Sequence, residues 1–285
     1  MIAQGWFACV MLRVTTMMMG LGVFLDSTVG RYWRVIGTGF VFIVFGLGAI
    51  AVSVTIFPVL RLTAWDKKAA RWRIQRGMQM IFKVFVWLMR GLGLLTVEVH
   101  NVERLWVPGQ LVIANHPSLI DVVFLVSLMP RVDCIVKEGL WRNPFLRWPV
   151  AWASYIPNRM GQELVEDCAA TLKAGNSLLV FPEGTRSVPG QPLRMQRGAA
   201  HIALAAGVNI LPVTIQVSAA HLTKGYPWHR APLRRPHFCI KVGEPLPPSV
   251  YNPGGGSGAL AARRLSDFFL EYYAAVGAEI QSWPP

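Results

Sequence analysis

The residues that first suggest chemistry are His116 and Asp121, within the run Asn115-His116-Pro117-Ser118-Leu119-Ile120-Asp121. A carboxylate that holds an imidazole fixes its tautomer and stabilises the imidazolium, which leaves the second ring nitrogen to take a proton from a hydroxyl. A β-rich run, Leu111 to Ala114, precedes the block, and Pro117 suits the first turn of a helix. His116 is therefore expected at a strand-to-helix junction, with Asp121 a turn and a half further on and able to fold back. Taken alone, the spacing better fits a histidine that only starts a helix. A second block, Phe181-Pro182-Glu183-Gly184-Thr185-Arg186-Ser187, follows a hydrophobic strand. It offers a carboxylate, a glycine that lets backbone approach closely, two hydroxyls and a guanidinium suited to bidentate phosphate capture. Open α/β sheets bind ligands at such places, outside the carboxyl ends of strands. A turn closed by a salt bridge accounts for the same residues.

The elements that must position these blocks begin at Thr96, where short β-rich runs alternate with helical stretches, as in an α/β domain. Strands are expected over Thr96 to His100, Leu111 to Ala114, Asp133 to Val136, Ser154 to Ile156, Ser177 to Phe181, Ile210 to Val217 and Phe238 to Val242. Helices are expected near Leu119 to Leu128, Gln162 to Ala174 and Gln196 to Ala206. Beyond the loop Pro253 to Gly258, an apolar stripe of Leu265, Phe268, Phe269, Tyr272, Val276 and Ile280 marks a last helix.

Upstream of Thr96 the chain is far more apolar. The uncharged run Val35 to Leu60 would form a helix about 39 Å long, against a hydrocarbon core of about 30 Å, so it is long enough to span a bilayer. Pro58, near its end, is expected to leave it intact. The first 25 residues are also apolar but divided by Arg13, and fit either a second span or an interfacial segment. Arg61, Lys67, Lys68, Arg71, Arg73 and Arg76, interleaved with Trp65 and Trp72, read as a juxtamembrane segment on the cytoplasmic side. In Met78 to Leu95 the polar residues Gln79, Lys83 and Arg90 share one face. That helix either packs on the domain or lies half-sunk among lipid headgroups.

Composition agrees. A chain of 285 residues that is 53% hydrophobic and only 15% charged is neither disordered nor fibrous. Its net charge of +13 calls for an anionic partner, and a membrane surface or a phosphate-bearing substrate suits the apolar N-terminus better than nucleic acid does. Cys9, Cys134, Cys168 and Cys239 contain no C-x-x-C pair and have no neighbouring histidine at recognised ligand spacing, so no structural zinc and no redox pair is expected. His100, His201, His221, His229 and His237 read as structural or surface residues.

Four blocks in order, N-H-P-S-x-x-D, then Ile156-Pro157-Asn158-Arg159, then F-P-E-G-T-R-S, then Ile210-Leu211-Pro212-Val213, resemble the glycerolipid acyltransferase family, whose best-known members are the 1-acyl-glycerol-3-phosphate acyltransferases. The likeness covers roughly Val97 to Val217. It implies an α/β fold with a mixed central sheet flanked by helices, preceded by N-terminal transmembrane or interfacial helices. The corresponding division is a membrane-anchoring region, 1–76, and an acyltransferase domain, 77–285. The implied reaction moves an acyl chain from acyl-CoA or acyl carrier protein to the free hydroxyl of a lysophospholipid, with 1-acyl-glycerol-3-phosphate giving phosphatidic acid. No cofactor and no metal is implied. His116 would be the general base and Asp121 its partner. Glu183, Gly184, Thr185, Arg186 and Ser187 would line the acceptor site, with Arg159 and Lys137 adding charge for its phosphate. No G-x-S-x-G elbow is present, which agrees with direct attack. Asn158 stands where the second block often carries an acidic residue, which leaves open another acceptor, such as a lyso-ornithine lipid, a glycolipid or a polyene lipid. A non-catalytic membrane scaffold of the same fold is the competing class. The expected location is a membrane, of the bacterial inner-membrane type, with the catalytic domain in the cytoplasm.

Overall fold

The computed structural model describes residues 26–159, 161–188 and 190–280, the last five as backbone alone. The first 25 residues, where a second span was left open, lie outside the described residues, as do the side chains of Val276 and Ile280. Seven strands form one sheet: β1 Thr96–His100, β2 Leu111–Ala114, β3 Asp133–Val136, β4 Ile156–Pro157, β5 Leu178–Val180, β6 Ile210–Val217 and β7 His237–Val242. Their order is β1-β7-β6-β2-β5-β3-β4. Every neighbouring pair is parallel except β6 with β7, so the sheet is mixed.

Strand β2 lies at the centre, and all four of its residues are buried, as a parallel strand covered on both faces requires. Its side chains alternate between two cores. Val112 and Ala114 join a cluster with Phe124, Met89 and Leu94, whereas Leu111 and Ile113 join one with Cys168, Leu172, Ala200 and Phe269. The first core is capped by helices α1 Thr28–Val54, α2 Ile56–Leu62, α3 Lys67–Gly91 and α4 Asp121–Leu128. Two short helices, α5 Glu138–Arg142 and α6 Arg147–Trp152, follow β3. The second core is covered by α7 Gln162–Lys173, α8 Gly198–Ala206 and, after the short α9 Pro248–Tyr251, by α10 Ala259–Ile280.

The N-terminal helices depart from expectation in two ways. The apolar run is interrupted at Thr55 between α1 and α2. Pro58 accounts for the break, because it lacks the N–H that would bond to the Val54 carbonyl four residues back and its ring crowds that carbonyl. Together α1 and α2 still make one stretch of 35 residues, Thr28–Leu62, long and apolar enough to cross a membrane. In α3, Lys83 and Arg90 are exposed, but Gln79 is buried and donates from Nε2 to the Ser127 carbonyl at 3.2 Å. Its position on the helix wheel matched the two cations; its length and amide let it serve instead as a polar tie to α4. The same helix runs unbroken through residues 76 and 77, across the boundary expected between 1–76 and 77–285.

Polar contacts dock these helices on the domain. Buried Asp133 receives an ion pair from Arg71, a 2.8 Å hydrogen bond from Gln75 Nε2 and one of 2.5 Å from Thr171 Oγ1. This ties α3 and α7 to the start of β3. Farther forward, the buried Arg34 donates to the carbonyls of Pro232 and Leu233, both at 2.6 Å, and Arg235 pairs with Asp26. Gly37 lets α1 approach the turn between α3 and β1 closely, since a Cβ there would stand 2.6 Å from Leu94 Cδ2.

The segment 218–236 that meets Arg34 also buries His221, and neither ring nitrogen has a hydrogen-bond partner among the described residues. Burial, reinforced by the charge of Arg34, pushes His221 down to about 4. The unfolded chain binds this proton near its ordinary value of about 6.5. The neutral ring therefore supports the fold above that pH, and stability falls as pH drops from about 6.5 through about 4, by up to about 3 kcal/mol. Urea unfolding at stepped pH is expected to show this loss in the wild type and a flatter profile in His221→Phe.

Candidate active site

The β2 strand ends at Ala114, and the next residue continues the sheet with its side chain. Asn115 Oδ1 accepts from the Ile215 N–H at 2.7 Å while its Nδ2 donates to the Ile215 carbonyl at 2.9 Å. This carboxamide satisfies the β6 backbone and frees the main chain to turn away, which carries His116 off the carboxyl end of the sheet. No spacing rule singled out Asn115 for this role, because its partner lies 100 residues away.

Asp121 opens α4, fully buried, and folds back as expected. His116 Nδ1 lies 2.8 Å from Asp121 Oδ2, the same oxygen takes the Ser118 N–H at 2.6 Å, and the Ser118 hydroxyl caps Oδ1. Burial pushes the Asp121 carboxyl up, whereas the hydrogen bonds from His116 and Ser118 pull it down. With Nδ1–H donated to the carboxylate, Nε2 is the nitrogen left with a lone pair. The ring stacks on Phe181 at a centroid distance of 4.3 Å and stays 16% exposed, so it is fixed yet reachable.

The second block turns out to hold the first. Glu183 is buried, and its two oxygens are taken by the His116 N–H at 2.8 Å and the Ser187 hydroxyl at 2.7 Å, while the Ser187 N–H donates to the His116 carbonyl at 2.8 Å. Gly184, at φ +67°, makes the turn, and a Cβ there would press on Gln196 Cγ at 3.2 Å. Gly184 and Thr185 face the cleft beside His116. Arg186 instead donates to the Leu222 carbonyl at 3.3 Å, and Lys224 reaches Thr185 Oγ1 at 3.2 Å. Segment 218–236 therefore lies against the site, a contact that sequence spacing did not signal.

A cleft of about 1070 Å³ opens from His116. Lys137, Asn158, Arg159, Glu183, Gly184 and Thr185 line it together with apolar side chains such as Phe45, Phe57, Ile81, Phe82 and Tyr155. Lys137 and Arg159, at the carboxyl ends of β3 and β4, are exposed and make no ion pair or hydrogen bond through their side chains among the described residues. Of the residues expected at the site, His116, Lys137, Arg159, Glu183, Gly184 and Thr185 border this cleft, while Asp121, Arg186 and Ser187 stand behind it. Cys134 also lines the cleft, but burial pushes its thiol well up, so it stays protonated.

The mixed sheet presents an H-x4-D dyad over a largely apolar cleft, and comparison with known proteins finds acyltransferases. The family model described as Acyltransferase matches residues 96–216. The 1-acyl-sn-glycerol-3-phosphate acyltransferase of Pseudomonas aeruginosa is 28% identical over 182 residues, 62% of this chain and 67% of that protein. A putative 1-acyl-sn-glycerol-3-phosphate acyltransferase of Caenorhabditis elegans is 31% identical over 196 residues, 66% of this chain and 64% of that one. A chloroplast relative from Arabidopsis thaliana is 32% identical over 108 residues, and the chain spans only 30% of its length. In fold, the crystal structure of the 1-acyl-sn-glycerophosphate acyltransferase of Thermotoga maritima superposes with a TM-score of 0.69 at 23% identity, covering 88% of this chain and all of that one. Over residues 96–216 the chain is therefore similar to the acyltransferases.

Asp121→Asn keeps the shape of the dyad but removes the carboxylate that fixes Nδ1–H. It is expected to lower kcat by about 10³- to 10⁴-fold. Ser118→Ala, which removes only one hydrogen bond to the carboxylate, is expected to lower it by about tenfold. Steady-state rates of the two variants, with circular dichroism to confirm folding, check both.

Proposed function

We propose that this protein transfers a fatty acyl chain from a thioester, acyl-CoA or acyl carrier protein, to the free hydroxyl of a lysophospholipid, with 1-acyl-glycerol-3-phosphate as acceptor and phosphatidic acid as product. The observation that carries the reading is the His116 ring, held by Asp121 through Nδ1 at the edge of a cleft lined largely by apolar side chains, with Lys137 and Arg159 among its polar ones. Nε2 takes the proton of the acceptor hydroxyl as its oxygen attacks the thioester carbonyl. The tetrahedral intermediate collapses by breaking the C–S bond, and the imidazolium returns the proton to the leaving thiolate. No acyl-enzyme is needed, and the protonated Cys134 is unsuited to form one.

The apolar lining suits an acyl chain. The exposed Lys137 and Arg159 suit an acceptor phosphate, with the planar guanidinium able to bind two of its oxygens. Glu183 and Ser187 act through His116, by holding its backbone, rather than by touching the acceptor. Arg186 serves the same end through Leu222.

The membrane supplies both substrates' apolar parts. Tyr32, Ile36, Phe40, Ile43, Leu47 and Val59 leave an exposed apolar face on α1 and α2, and Trp65, Trp72 and Trp87 extend it. Arg73 stacks over Trp65 at 4.7 Å and Arg131 over Trp72 at 5.0 Å, and cations paired with aromatics in this way suit contact with anionic headgroups. We take residues 1–76 as the anchor and 77–285 as the catalytic domain facing the cytoplasm.

Isolated membranes given a labelled acyl thioester and a panel of lysolipids are expected to label phosphatidic acid. His116→Ala abolishes the label while the protein still floats with vesicles; retained activity would remove the proposed base. Arg159→Ala is expected to raise the KM for 1-acyl-glycerol-3-phosphate by about 10- to 100-fold with little change in kcat. An unchanged KM would exclude the phosphate contact, and preferred labelling of a lipid without phosphate would replace the acceptor.

A further inference from the structure

At the far edge of the sheet, strands β1 and β7 run parallel in the register Thr96↔His237, Glu98↔Cys239 and His100↔Lys241. Paired residues of neighbouring strands project to the same face, and alternate residues share it. Val97 and Val99 pack on the core, so Thr96, Glu98 and His100 stand on the other face with His237 and Cys239. Two unremarkable tripeptides, Glu98-Val99-His100 and His237-Phe238-Cys239, are thereby brought into one constellation of a carboxylate, two imidazoles and a thiol.

The contacts are close. One donor atom from each of Glu98, His100 and Cys239 lies within 4.8 Å of the other two. Glu98 Oε1 is 2.9 Å from His100 Nε2, and Glu98 Oε2 is 3.5 Å from His237 Nε2. Thr96 Oγ1 lies 2.7 Å from His237 Nδ1, a hydrogen bond that orients this ring so that Nε2 faces the carboxylate. A second partner holding the non-ligating nitrogen is what metal-binding histidines commonly have.

From this geometry we propose that Glu98, His100 and Cys239, with His237 Nε2 as the fourth donor, form a binding site for a borderline divalent cation, zinc foremost. Thiolate and imidazole ligands select zinc over magnesium or calcium. Donors around a tetrahedral zinc lie roughly 3.3–3.8 Å apart, given bonds of about 2.0–2.3 Å. Glu98, His100 and Cys239 close by about 1 Å to reach this, and the solvent-exposed Glu98 and His100 side chains have the freedom to do so; His237, near Glu98 but outside this group of three, moves farther to join them. Cys239 is 1% exposed and supplies the fixed end. Lys241, opposite His100, is exposed, so its ammonium is solvated rather than forced onto the ion. Binding releases the thiol proton and the Glu98–His100 contact, and it clamps the edge strand β1 to β7. The site is independent of acyl transfer: in the strand order it lies two strands (β7) and three strands (β1) from β2, about 10–14 Å across the sheet from the strand that leads to His116.

The test uses the full chain in detergent micelles, stripped with a chelator and dialysed, then titrated with Zn²⁺ alone by calorimetry and with Co²⁺ alone by absorption spectroscopy. One Zn²⁺ per chain is expected, together with a thiolate-to-cobalt charge-transfer band. Cys239→Ser should remove the band, and His100→Gln should weaken Zn²⁺ binding by about tenfold or more. His116→Ala should retain both signals, which separates this site from the dyad. Zn²⁺ should raise the Tm of the wild type but not of Cys239→Ser. His100→Gln alters an exposed side chain, so it reports on the ligand even if the cysteine variant folds poorly. No charge-transfer band in the folded wild type, or equal Zn²⁺ affinity in wild type and His100→Gln, would overturn the proposal.

Discussion

An imidazole is a useful base only while one nitrogen is committed and the other is presented, and this fold spends much of its polar interior on that single condition. Asp121 could not hold His116 if it were solvated and mobile. It is buried at the head of α4, with Ser118 supplying both an N–H and a hydroxyl to its oxygens. The cost of burying a carboxylate is met by hydrogen bonds that also fix its direction. Glu183 performs the matching task for the backbone of His116, and Asn115 for the strand end from which the loop departs.

The same logic links the N-terminal helices to the chemistry. Arg34 fastens α1 to segment 218–236, and that segment touches the site through Leu222 and Lys224. Phe45 and Phe57, from α1 and α2, line the cleft that opens at His116. These helices therefore line part of the cleft and brace the loop beside it, as well as offering an apolar surface. A lipid acceptor held at that surface would have its hydroxyl and its apolar tail served by one continuous cleft.

Much of this could be read from the residues in order. Strands β1, β2, β3 and β6 fall at the expected positions, because runs of β-branched residues bounded by turn formers leave few alternatives. The H-x4-D pair could be read because both partners sit on one turn-and-helix unit, where distance along the chain fixes distance in space. The break at Thr55 follows from Pro58, which the sequence displayed but which seemed too near the end of the apolar run to matter. Gln79 misled because a helix wheel groups residues by angle and ignores what a long amide can reach.

What the sequence determined by itself was local: the alternation of strands and helices, the long apolar run near the N-terminus, the dyad and the four blocks, all set by neighbours within a few residues. The tertiary structure decided the contacts between segments far apart in the chain. It turned Glu183 inward to hold the His116 backbone, set segment 218–236 against the dyad, and paired β1 with β7 so that Glu98, His100 and Cys239 converge. The reason is physical. Spacing along a strand or a helix follows from backbone geometry alone, but which strands become neighbours, and in what register, is settled only when the apolar faces of the whole chain are buried together.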